Sequence, residues 1–211
     1  MRESGVGRRE SGDFAALSIE EFCAELASGR PTPGGGAAAA LLAKLAAALV
    51  QMVANHTVGR PKYAAVEARM RDILGESGNL SRKAGDLMDA DAAAFGQVSA
   101  AFKLAKDDPG RASAVSQACQ AATDVPLAVM RAAASLAELA AEVFAAGNQT
   151  LSGDARSGLL LAQAAAECSL GNVLANRAFI LDQAWAEAAC AEAGQLRAHI
   201  AGLRRQIEQT L

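Results

Sequence analysis

Alanine fills about a quarter of this chain, and no other feature narrows the fold as far. It is the strongest intrinsic helix former, because ordering it costs no side-chain entropy. The residues that strands favour are scarce, with six Phe, one Tyr and one Trp among 211 residues. An all-β or mixed fold is therefore excluded in favour of an all-α one. At 52% apolar, the chain can build one sizeable core. Its 20 basic and 23 acidic residues give a net charge of -3, without the basic excess that a nucleic-acid binder needs.

Punctuation along the chain divides it into helices. Ser18 and Glu21 form a capping box, and Ile19, Phe22, Cys23 and Leu26 give the helix that follows one apolar stripe. Gly29 and the prolines at 31 and 33 end it. An Ala-rich helix is expected over 37–55. It is apolar nearly all round, which marks a buried central helix. Its Lys44, its Gln51 and its preponderance of Ala over Leu argue against a membrane span. Gly59 and Pro61 break the chain again, and a helical pattern runs from Lys62 to Phe102 through Met70, Ile73, Met88 and Phe95. Gly75 and Gly78 weaken it, leaving one bent helix or two. Asp107-Asp108-Pro109-Gly110 is a turn. The next helix covers 112–146, with Pro126 expected to kink or split it. Gly147-Asn148 stops it. Ser152 and Asp154 are candidate caps for a helix running to about 180, and a last amphipathic helix covers 183–209.

The expected architecture is a bundle of long antiparallel helices forming one domain over 15–211, behind a disordered arm over 1–14. The arm has no apolar stretch resembling a secretory signal, so a cytoplasmic location is expected. The four cysteines, at 23, 119, 168 and 190, have no metal-site spacing and read as small apolar residues. Helices lined with Ala and Gly approach closely and bury little volume per residue. A two-fold homodimer is expected to supply further burial.

Four features stand out from this background. Pro31-Thr32-Pro33-Gly34-Gly35-Gly36 leads into a helix start, where bare backbone and free N–H groups can meet an anion or a carbonyl oxygen. It reads equally well as a rigid turn. Gly59-Arg60-Pro61-Lys62-Tyr63 places two cations at a helix N-terminus, against the helix dipole. Gly147-Asn148 leads to Asp154, which is either a cap or a functional carboxylate. Asn172 and Asn176 lie one turn apart on an otherwise apolar helix. They bond either neighbouring helices or a polar ligand. His56 and His199 have no partners of a catalytic pattern. Asp86 and Asp89 read as a solvated face, while Asp91 falls on the apolar side with Phe95.

Taken together, PTPGGGAAAA (31–40), ALVQMVANHTVGRPKY (48–63), DAAAF (91–95), TDVPLAV (123–129), GNQTLSGDA (147–155) and NVLAN (172–176) resemble the cyclodeaminase/cyclohydrolase family. Ala37 stands where that family more often has Ser, and Gly153 likewise. The resemblance implies an all-helical homodimer that acts on a tetrahydrofolate derivative, with no metal and no cofactor beyond the folate. It implies methenyltetrahydrofolate cyclohydrolase activity first. The alternatives are a formiminotetrahydrofolate cyclodeaminase and a non-catalytic folate-binding relative. The residues it points to are Asp154 as charged group and proton acceptor, and Lys62 as proton donor or water-orienting partner, where burial would favour the neutral amine. Thr32, Pro33 and Gly34–Gly36 would shape the pocket, with Asn148 beside them. Tyr63 would stack on a flat ring, Asn172 and Asn176 would bond the pterin edge, and Arg60 would meet the glutamate tail. No nucleic acid or membrane is expected as a partner.

Overall fold

The computed structural model describes residues 13–210. Six helices account for most of them: α1 (Ile19–Leu26), α2 (Gly35–Asn55), α3 (Glu67–Phe102), α4 (Arg111–Ala146), α5 (Ser152–Arg177) and α6 (Gln183–Glu208). Short 3-10 turns at Phe14–Ala16, Pro61–Val66 and Gln149–Leu151 complete the order, and no strand occurs among the described residues. Most of the expected arm lies outside the described residues. At the start of the described residues, the amides of Asp13 and Phe14 donate to Asp89 Oδ1 at 2.9 and 2.8 Å. Asp89 thus anchors a turn, where a solvated face was expected.

Local signals explain most of the boundaries. The capping box at α1 is formed in both directions, with Ser18 N donating to Glu21 Oε2 at 2.9 Å and Glu21 N to Ser18 Oγ at 3.2 Å. Asp182 caps α6 through Trp185 N at 3.0 Å. α3 runs unbroken through Gly75 and Gly78, so the single-helix alternative holds. α4 likewise runs unsplit through Pro126, which is buried. Packing on both sides offsets the missing backbone bond, a cost of about 3 kcal/mol in an isolated helix. Neither Ser152 nor Asp154 caps α5; its N-cap is Leu151, with no side-chain bond.

α2 is the centre of the bundle. It packs on α3, α4 and α5, and Ala39, Ala40, Ala43, Ala46, Ala47 and Val50 are fully buried. Small side chains let the neighbours close in. A Cβ on Gly158 of α5 would lie 3.4 Å from Leu49 Cβ and 3.5 Å from the Ala46 carbonyl. α2 and the Gln149–Arg177 segment are long and apolar enough to cross a membrane by length and composition. Here both serve as packed elements of the bundle.

One face of α2 is left uncovered by the chain's own helices. Ala38, Leu41, Leu45, Ala48 and Met52 recur at three- and four-residue spacing, with Leu45 41% exposed. Beside it, α5 presents Leu161, Ala164, Cys168, Gly171 and Ala175, all half-buried or exposed. These two adjoining stripes carry no charge.

Candidate functional site

The length of α2 separates the expected site residues into two groups. Its 21 residues span about 30 Å. The 31–36 loop stands at its N-terminus, whereas residues 56–63 leave from its C-terminus. α5 runs antiparallel to α2. Asn148, just before α5, donates through Nδ2 to the His56 carbonyl at 3.2 Å, and Gly158 crosses α2 at Ala46–Val50. About 20 Å further along both helices, Asn172 and Asn176 therefore come level with the glycine triplet. Thr32–Gly36, Asn172 and Asn176 share one end of the molecule. Arg60, Lys62, Tyr63, Asn148 and Asp154 share the other.

The glycine end is organised around Asp91, which opens the DAAAF stretch but was not among the expected site residues. Asp91 of α3 accepts from the Ala37 amide at 3.0 Å, tying α3 to the first turn of α2. A Cβ on Gly36 would overlap the Asp91 carboxylate, which is the physical reason for glycine there. Gly34 and Gly35 have no such neighbour. Gly35 has nothing within 4 Å of a built Cβ, so its backbone lies open to a ligand. Pro33, after a cis bond from Thr32, is buried and anchors the loop. Because the Asp91 partner is a backbone amide, this bond does not depend on the side chain at position 37. Desolvation by burial raises the Asp91 carboxyl above the ordinary aspartate value, and the Ala37 amide only partly opposes this.

Past the end of α2, α3 and α5 run on while the chain enters α2 through the 31–34 loop. On α5 the stripe Gly158, Ala162, Ala165 and Ser169 is buried, and then Asn172 and Asn176 are half-buried. Neither Asn side chain has a hydrogen-bond partner among the described residues. The Ser169 hydroxyl is buried without a partner. On α3 the stripe Ala84 and Met88 is buried, Asp91 is half-buried and Phe95 is exposed. A wedge thus opens between α3 and α5, with α2's first turn at its base and α4 behind it. Phe102 and Phe179 meet edge to face at 5.1 Å across its top. Phe95 and Phe102, which end the apolar pattern of α3, are exposed.

The opposite end is a tight polar joint. Thr57, 1% exposed, accepts from Asn148 N at 2.9 Å and donates to the Val53 carbonyl at 2.7 Å. Asn148 Oδ1 accepts from Tyr63 Oη at 3.4 Å and from Thr150 N at 3.2 Å, and Gln149 N donates to Tyr63 Oη at 3.2 Å. The Asn148 amide is therefore committed to the fold. Lys62 Nζ lies over one face of the Tyr63 ring at 5.3 Å from its centroid, and the Tyr63 hydroxyl takes part in the joint. Lys62 and Arg60 are exposed, and the expected burial of Lys62 does not occur within one chain. Asp154 is half-buried in the first turn of α5, and no described residue pairs with its carboxylate. Among the described residues no three His, Cys, Asp or Glu side chains gather as a metal site.

Residues 18–195 match the sequence profile of the formiminotransferase-cyclodeaminase family. The chain belongs to that family. It is 37% identical over 198 residues to a methenyltetrahydrofolate cyclohydrolase of Methylorubrum extorquens, covering 92% of this chain and 95% of that one. It is 35% identical over 175 residues to a formimidoyltransferase-cyclodeaminase of Sus scrofa, covering 79% of this chain but 32% of that longer protein. The solved formiminotetrahydrofolate cyclodeaminase of Thermotoga maritima superposes with a TM-score of 0.87 at 30% identity, covering 93% and 96% of the two chains. The all-helical expectation and the family resemblance are both borne out.

Proposed function

We propose that this chain is a methenyltetrahydrofolate cyclohydrolase whose site is completed by a second copy. The observation that carries the reading is the desolvated Asp91 carboxyl beside the bare glycine backbone, in a chain matched end to end by a cyclohydrolase relative. The substrate's bridging carbon is a cation shared between N5 and N10. Water adds to it, giving a tetrahedral carbon that bears both nitrogens and a hydroxyl. Protonation of N5 and loss of the hydroxyl proton break the C–N5 bond. The outcome is 10-formyltetrahydrofolate and one net proton. A carboxyl group held above the ordinary aspartate range by burial suits the taking and returning of that proton. Gly34, Gly35 and the free N–H groups of α2's first turn are placed to bond a developing oxygen. Thr32 and Pro33 hold that loop, and the Asn172 and Asn176 amides have capacity for a polar ring edge.

A homodimer reconciles the two separated ends. A two-fold axis through the uncovered α2 stripe near Leu45 sets two copies of α2 antiparallel. The glycine end of one copy then lies against the Lys62 and Asp154 end of the other. Asp154 supplies a second carboxylate and Lys62 a proton or a water contact, while Arg60 at the rim meets the glutamate tail. A cytoplasmic location, no membrane partner and no cofactor beyond the folate belong to the same proposal.

The likeness to a stand-alone cyclodeaminase structure favours a second reading, in which N10 attacks a formimino carbon and ammonia leaves. Both reactions pass through a similar tetrahedral carbon. Following loss of methenyltetrahydrofolate absorbance, and ammonia release from the formimino compound, separates the two. Turnover of the first alone supports the cyclohydrolase, and turnover of the second alone overturns it. Binding without turnover of either makes the chain a folate-binding relative.

A further inference from the structure

The wedge beyond α2 has an aromatic wall that no part of the proposed chemistry uses. In a chain with six phenylalanines, three of them (Phe95, Phe102 and Phe179) are 45%, 37% and 48% exposed at this one end. Phe95 lies one helical turn beyond Asp91 on the same face of α3. It is uncovered because α2 stops at Gly35 while α3 runs on. On α5, at the same end of the bundle, are the half-buried amides of Asn172 and Asn176, which have no partner among the described residues, and one turn before Asn172 the buried, unpartnered Ser169 hydroxyl. An exposed apolar ring, free amides and a carboxyl group gathered at one end of the bundle match a flat heteroaromatic ring with a polar edge.

We infer that Phe95, backed by the Phe102–Phe179 pair, is the stacking wall for the pterin ring of the folate, with Asn172 and Asn176 reading the ring's polar edge. The inference rests on the folate reading and specifies which end of the molecule takes the ring. Phe95 contributes contact area at low entropic cost, since its helix fixes the direction of the side chain. Because it already stands exposed, truncating it removes a ligand contact with little loss of packing.

The test is equilibrium binding of 5-formyltetrahydrofolate to the native protein and to Phe95→Ala, Phe95→Leu and Phe95→Tyr, each checked for an unchanged melting temperature. Phe95→Ala and Phe95→Leu are expected to raise Kd about tenfold, and Phe95→Tyr to stay within about twofold. The same pattern is expected when 6-methyltetrahydropterin, which lacks the aminobenzoylglutamate part, competes for the site. Native Kd in Phe95→Leu would overturn the wall. Loss of the Phe95 dependence in the pterin competition would overturn the ring assignment. A native protein that binds the folate, with the expected Phe95 dependence, but turns over neither substrate would keep the wall and lose the cyclohydrolase. A native protein that binds no folate would sink both.

Discussion

Gly36→Ala probes the contact on which the glycine end depends. A methyl group there falls inside the van der Waals envelope of the Asp91 carboxylate, so that side chain must swing away from the Ala37 amide. The lost charge-assisted bond is worth about 1.5–3 kcal/mol. Replacing Gly by Ala in a helix returns up to about 1 kcal/mol. With the full ~1 kcal/mol returned, the net loss is about 0.5–2 kcal/mol, or roughly 1–8 °C in Tm for a chain of this size. Turnover should suffer far more, because displacing a reacting group by about an ångström costs on the order of a hundredfold in rate. Thermal melts and the methenyl absorbance assay read the two effects separately. Gly35→Ala is the control, since its Cβ meets open space, and it should melt at or above the native temperature. In an Asp91→Ala background, Gly36→Ala should cost no stability, because the obstructing carboxylate is gone. Native turnover in Gly36→Ala, or a stability loss that persists without Asp91, would refute the reasoning.

Three further outcomes follow from the same geometry. Asp91→Asn should abolish most turnover yet stabilise the fold at neutral pH. Burial raises the carboxyl's folded value, so its charged form weakens the native state increasingly as pH rises above the ordinary aspartate range. The variant's advantage in melting temperature should vanish in acid, and an advantage confined to acid would reverse the sign of the account. Thr57→Val leaves the Asn148 N–H buried without a partner and should cost about 1–3 kcal/mol by denaturant melt, with Thr57→Ser close to native. Leu45→Arg places a charge in the uncovered α2 stripe and should yield folded monomers by sedimentation, with turnover lost. A fully active Leu45→Arg dimer would move the interface elsewhere.

Much of the fold was legible because alanine, glycine and proline punctuate the chain so strongly. The capping box at Ser18 and the stop at Gly147-Asn148 appear where the residues imply them. Of the two outcomes expected at Pro126, the split does not occur, because tertiary packing holds α4 together against a local penalty. The motifs were legible as motifs, but their distribution over two ends was not. Spacing along a chain does not say that 21 helical residues will hold PTPGGG and Lys62-Tyr63 about 30 Å apart. Asp91 carried a signal, an acid on an apolar face one turn before an aromatic residue, that only the neighbouring Gly36 makes decisive. Thr57 gave none, since a buried threonine looks like any small core residue. Asn148 and Tyr63 are polar and exceptional in composition, and such residues hold a fold together as readily as they meet a ligand.

The composite site is tested most directly by mixing two inactive proteins. Asp91→Asn and Asp154→Asn disable opposite ends of the molecule. If each site draws one end from each subunit, a heterodimer of the two variants holds one site with both carboxylates and one with neither. An equal mixture, unfolded and refolded together to exchange subunits, should regain about a quarter of native turnover. If Asp91 and Asp154 of the same chain served one site, the mixture would stay as inactive as its parents.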